Sequence, residues 1–112
     1  MTSRFRGTRD VIIRTDNLDS AVRFYESVLA LPVTHRDSNL VGFNAGAFTL
    51  YVEGGEAHGP VFELLVPNVE KAKAQLLASG CRVLEEDSSL PRCYIQDPQG
   101  FTFNIGLDRD AV

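Results

Sequence analysis

The chain has 112 residues, 44% of them hydrophobic and 23% charged, with a formal net charge of −4. Such a length suits a single compact domain and leaves no room for a second independent one. It can bury roughly 65% of its unfolded surface, a core that needs no disulfide or metal staples. The mildly acidic balance excludes nucleic acid or an anionic membrane as the main partner, since either calls for a basic face. No apolar run approaches the roughly 18 residues of a membrane span, and MTSRFRGTRD carries no apolar signal core, so a cytoplasmic location is expected. Two histidines (His35, His58) and two cysteines (Cys81, Cys93), without CxxC, HxxxH or HExxH spacing, exclude a zinc site made from sequence neighbours.

The first structured segment is Asp10-Val11-Ile12-Ile13-Arg14-Thr15, a β-branched run that reads as a strand. Asp16 and Asn17 supply helix-start chemistry, because a short acceptor side chain satisfies a free backbone N–H. Leu18, Ala21, Val22, Tyr25, Val28 and Leu29 then recur on one face of an amphipathic helix, stopped by Leu31-Pro32. Strands are expected at 33–36, 40–43 and 48–53, with Asp37-Ser38-Asn39 and Asn44-Ala45-Gly46 as turns. Residues 54–60, rich in glycine, form a linker. After it come a strand at 61–66, a helix start at Pro67-Asn68 and a helical stripe of Val69, Ala72 and Leu76. Gly80 takes the left-handed terminator position. Strands follow at 82–85, 92–96 and 101–107, the last two joined by the turn Asp97-Pro98-Gln99-Gly100.

The order β-α-β-β-β thus occurs twice, over about 9–53 and 61–107. An offset of 51 residues lays Asn17 on Asn68, Leu18 on Val69, Asp19 on Glu70 and Ala21 on Ala72. Units of that size cannot bury both faces of a sheet alone. The expected fold is therefore α+β: two paired modules forming an eight-stranded concave sheet, with helices on the outer face. The other reading is an ordinary α+β sandwich whose repeat is accidental.

The sequence resembles the vicinal oxygen chelate superfamily, which includes glyoxalase I, the extradiol dioxygenases and the bleomycin- and fosfomycin-resistance proteins. The likeness is carried by the opening strand running into Asn17-Leu18-Asp19 and Phe24-Tyr25, by Val66-Pro67-Asn68-Val69-Glu70, and by Asp97-Pro98-Gln99-Gly100-Phe101. It spans about residues 10–107. Two departures stand out: Leu29-Ala30-Leu31 replaces the family's Leu-Gly-Leu, and Phe101 replaces an Asn after the last turn.

Strand alternation assigns side chains to the two faces. Val11, Ile13, Phe48, Leu50, Val52, Phe62, Leu64, Val66, Phe101, Phe103 and Ile105 suit the helix side. Asp10, Ile12, Arg14, Thr49, Tyr51, Glu63, Leu65, Thr102 and Asn104 then line the concave side as candidate ligand-binding residues, along with Val61 and Glu53. A polar face with apolar patches is the lining of a small-molecule pocket. The resemblance implies metal ligands on these strands at Asp10, Tyr51, Val61 and Asn104, a set with too few donors for a divalent ion. The expectation is a protein without metal or cofactor that binds a small organic molecule, for drug or metabolite sequestration; the resemblance also implies a homodimer.

Two other readings stay open. One is a metal-dependent lyase, isomerase or dioxygenase with ligands drawn from Asp10, Glu53, Glu63 and His35; the other is a scaffold or regulatory module with no ligand. Arg14 and Glu63 either contact ligand, pair with each other or sit on a wet rim. Tyr51 either stacks on ligand or packs in the cup. His35 and His58 read as surface residues, and Cys81 and Cys93 as small buried hydrophobes. Phe24 lies off the helical stripe, as a dimer contact or partly buried.

Overall fold

The computed structural model describes residues 4–110. Among these residues the strands are β1 (Arg6–Thr15), β2 (Val33–Arg36), β3 (Leu40–Asn44), β4 (Thr49–Gly54), β5 (His58–Val66), β6 (Arg82–Asp87), β7 (Arg92–Gln96) and β8 (Thr102–Leu107). Helix α1 (Leu18–Arg23) follows β1 and runs into a π-helical turn at Phe24–Val28, and α2 (Val69–Ala78) follows β5. This is the expected α+β set of eight strands, in mixed pairing, and two helices. The chain divides into two compact units, one of Arg9–Val61 and one of the remainder. No helix of the described residues is long and apolar enough to cross a membrane.

In the Arg9–Val61 unit β1 pairs parallel with β4, β4 antiparallel with β3, and β3 antiparallel with β2. Val22, Val41, Phe43, Leu50 and Val52 form its buried core, with Val11, Ile13, Leu18, Ala21 and Tyr25 packed against it. Helix α1 therefore covers the face of Val11, Ile13, Leu50 and Val52 that alternation assigned to it. In the other unit β5 pairs parallel with β8, β8 antiparallel with β7, and β7 antiparallel with β6. Its core is Val66, Ala72, Cys93, Ile95, Phe103 and Ile105, joined by Leu64, Val69 and Leu76. The same five-element plan thus appears in each half.

Both helices begin on the residues matched by the 51-residue offset. Asn17 Oδ1 accepts Ser20 N–H at 3.2 Å, and Asn68 Oδ1 accepts Lys71 N–H at 3.0 Å. Each side chain satisfies a donor that the first helical turn leaves over. Helix α2 ends at Gly80 (φ +96°), where Cys81 N–H returns to the Leu76 carbonyl and Gly80 N–H to that of Leu77. That is the left-handed termination expected of glycine. Helix α1 ends differently. Leu29 N–H reaches back five residues to Phe24, Leu31 N–H reaches back six to Tyr25, and Ala30 takes φ 55°.

This ending corrects the expected stripe. Val28 is 68% exposed and Leu29 is half exposed. A π turn holds an extra residue, so positions beyond it are rotated off the 3.6-residue face. Tyr25 keeps its place, 5.9 Å from the Phe43 ring, and Leu31 replaces Leu29 as the apolar anchor. Three further expectations are corrected. Phe48 and Phe101 lie just outside β4 and β8, in turns, and are exposed, Phe101 by 67%. The Asp97 carboxylate accepts Gln99 and Phe101 N–H groups, so turn geometry rather than the pleat aims that ring. Phe62 does pack on Phe103, with ring centroids 5.8 Å apart, but it is 45% exposed. Finally, β5 takes up His58, Gly59 and Pro60, so only residues 55–57 separate it from β4.

Candidate functional site

In the Arg9–Val61 unit, the parallel register sets Asp10 beside Thr49, Ile12 beside Tyr51 and Arg14 beside Glu53. Their intervening neighbours enter the core under α1, so these six share the opposite face. All six are half-buried. Tyr51 is also level with Gly42 of β3. A Cβ at Gly42 would stand 3.0 Å from Tyr51 Cε1 and 3.1 Å from Thr34 Oγ1. The glycine thus lets the tyrosine ring lie across β3. Thr34, rather than His35, therefore approaches this face. The β2–β3 register shifts between Val33 and His35, and the exposed His35 Nε2 pairs with Asp37 Oδ2 at 3.0 Å.

Arg14 is held from two sides. Its Nε donates to the Glu56 carbonyl at 2.8 Å, and its Nη1 stands 3.8 Å from Glu53 Oε1, with side chains only 15% and 16% exposed. The loop at 55–57 is thus a support for the arginine as well as a connection. Gly55 (φ +150°) makes the approach possible, since a Cβ there would meet Arg14 Cδ at 3.1 Å. Glycine spacing marked a linker in the sequence; what it marks in space is the seat of a guanidinium.

In the other unit, β5 and β8 set Glu63 beside Asn104 and Leu65 beside Gly106. Asn104 Nδ2 donates to Glu63 Oε2 at 2.9 Å, and Asn104 Oδ1 accepts Cys93 N–H at 2.7 Å. Thr102 is level with Gln96 of β7 and is buried. Sequence reasoning passed over the β7 residues here. Tyr94, level with Asn104, is almost fully buried, and the Arg92 guanidinium lies 4.8 Å from its ring centroid while donating to Glu85 at 3.0 Å. A guanidinium over an aromatic face is attractive and fixes both groups. The alternating Arg92-Cys93-Tyr94-Ile95-Gln96 was the available signal: Cys93 and Ile95 enter the core, which leaves Arg92, Tyr94 and Gln96 to the other side.

The metal ligands implied by the resemblance do not fit these residues. Val61 is apolar and 2% exposed. Asn104 has its oxygen and its nitrogen engaged by Cys93 and Glu63. Among the described residues no three or more His, Cys, Asp or Glu side chains are gathered as an ion requires. Of the alternative ligands, Glu53 faces Arg14 and His35 faces Asp37. Burial pushes up the Cys93 thiol, aided by the Glu86 carboxylate, and burial with the Asp97 charge pushes up Cys81; both are free thiols. Neither is an activated nucleophile. His58 Nδ1 lies 2.9 Å from the Gly59 carbonyl, half-buried within β5.

Two grooves of about 500 and 480 Å³ lie in the Arg9–Val61 unit beside α1, sharing Leu18, Asp19 and Ser38. They flank α1, and neither Arg14 nor Tyr51 lines them. The Arg36–Glu26 ion pair crosses the larger one.

Residues 10–106 match the family model of the glyoxalase-like domain. No curated protein matches the sequence. Among solved structures, the chain is similar to homoprotocatechuate 2,3-dioxygenase from Brevibacterium fuscum in complex with 3,4-dihydroxyphenylacetate. The TM-score is 0.69 at 20% identity, over 96% of this chain and 38% of that one. A room-temperature structure of the extradiol ring-cleaving dioxygenase from the same organism gives 0.69 and 20%, over 99% and 35%. The chain is also similar to a glyoxalase/bleomycin resistance protein/dioxygenase superfamily member from Vibrio splendidus 12B01, with a TM-score of 0.65 at 18% identity, over 96% of this chain and all of that one. The chain spans little more than a third of the dioxygenase, and at these identities the likeness is one of fold.

Proposed function

The chain belongs to the glyoxalase-like domain family, and on that premise we propose that it binds a small organic molecule on the sheet face that carries Arg14 and Tyr51. The observation that supports this reading is the mounting of Arg14. Its guanidinium is held by a backbone carbonyl and a carboxylate, diagonally across the β1–β4 ladder from an aromatic ring laid over a glycine. A pre-set cation beside a flat apolar surface suits a planar compound bearing a carboxylate or phenolate. Thr49 and Asp10 add polar groups on the same face. The role is sequestration of a drug or metabolite by a homodimer, as the resemblance implied; metal-dependent chemistry receives no support from the donor set.

A thermal-shift screen of planar aromatic acids and phenols tests the reading. A compound at about 100 times its Kd adds roughly 2.7 kcal/mol of stability. Arg14→Ala and Tyr51→Ala should each weaken a confirmed hit while leaving the protein folded. Unchanged affinity in both variants places binding elsewhere, and the absence of any hit leaves the scaffold reading.

A further inference from the structure

Glu63 is a half-buried carboxylate on the β5 face turned away from the core of its unit. Its hydrogen bond is the one from Asn104 Nδ2 to Oε2, and that amide is oriented in turn by the Cys93 N–H on its oxygen. One carboxylate oxygen is therefore fixed through two strands, while Oε1 is left to accept from elsewhere. Gly106 keeps the neighbouring space clear, since a Cβ there would stand 3.2 Å from both Glu63 Oε2 and Leu65 Cδ2.

Among the described residues no cationic side chain pairs with Glu63. Four cations of the same unit engage other groups: Arg92 with Glu85, Lys73 with Glu70 and Glu86, Arg82 with Gln96, and Arg6 with Asp108. A carboxylate drawn partly out of water without a counter-charge is unfavourable for the protein alone. Nor does the fold require it. The duplicated register puts Ile12 and Tyr51 where this unit has Glu63 and Asn104.

We propose that Glu63 anchors a cationic group, an ammonium or amidinium, of a small molecule bound on the β5–β8 face of its own unit, with Asn104 as the residue that positions its carboxylate. This goes beyond the binding proposed at Arg14, which concerns the other unit. The ligand class then becomes an organic molecule that presents a protonated nitrogen to Oε1 and packs its apolar part against Leu65.

The test is calorimetric titration of the full chain with benzamidine, its neutral amide benzamide and its anionic counterpart benzoate. Benzamidine should bind more tightly than benzamide by about ten- to hundredfold, as expected for a hydrogen bond to a charged group. Glu63→Gln should abolish that preference and leave benzoate binding unchanged, while Glu63→Asp, which keeps the charge, should retain part of it. Asn104→Ala should reduce the ratio between the two without altering benzoate binding, a readout that loss of packing alone would not move. Equal affinity for benzamidine and benzamide, or a preference that survives Glu63→Gln, overturns the proposal. Arg14-dependent benzoate binding without an amidine preference overturns this inference alone; failure of all three rings to bind removes the small-molecule reading as well.

Discussion

Ala30 is the described non-glycine residue with positive φ, at 55°, where an L side chain crowds the carbonyl oxygen. That conformation costs an alanine roughly 1–2 kcal/mol. Replacement by glycine relieves it, but a glycine also gives the unfolded chain about 0.4–1 kcal/mol of extra freedom. Ala30→Gly should therefore stabilise the protein by roughly 0.5–1 kcal/mol, a rise in Tm of roughly 2–8 °C for a chain near 100 residues. Ala30→Val should act in the opposite sense, since a β-branched residue tolerates this region least. Gly80 supplies the matched control at the end of α2. A Cβ there would meet Pro98 Cγ at 3.5 Å, an ordinary contact, so Gly80→Ala should lose about 1 kcal/mol through conformation alone. Urea titrations of the three variants measure these differences from the midpoints. An unchanged or lowered midpoint for Ala30→Gly, with the same denaturant slope, refutes the reasoning and would mean that the π turn and not φ sets the strain.

Three other outcomes are expected. Asn17→Ala and Asn68→Ala should each cost about 0.5–2 kcal/mol in chemical denaturation, because both amides cap helix donors; a loss confined to one would show that the duplicated caps are not equivalent. The Asp37 carboxyl is held below its ordinary 3.8 by the Asn39 N–H and then by His35. Its contribution is present above that ordinary value and fades as pH falls through the lower folded one. The stability gap between wild type and Asp37→Asn should thus close in acid, and a gap that widens there contradicts the sign. With Ellman's reagent at mildly alkaline pH, Cys81 should react first and Cys93, 4% exposed with a raised pKa, only as the unit opens; equal rates would count against the burial of Cys93.

The amino-acid sequence by itself determined the repeat, both helix caps, the glycine end of α2 and the alternation of β1 and β4. Each of these is local chemistry: an amide beside a free N–H, a residue without Cβ at positive φ, a period of two along a strand. Local chemistry also put Arg14, Tyr51, Glu63 and Asn104 on the faces away from the cores. Tertiary structure decided the rest, because the deciding partners are distant in the chain. A π turn moved the anchor of α1 from Leu29 to Leu31, which no helical periodicity contains. Gly42 and Gly55 became seats for Tyr51 and Arg14 only once β3, β4 and the following loop were brought against them. Glu63 acquired its meaning from an asparagine 41 residues away. The composition showed a chain poor in metal donors; the packing shows a mounted guanidinium in one unit and an oriented carboxylate in the other.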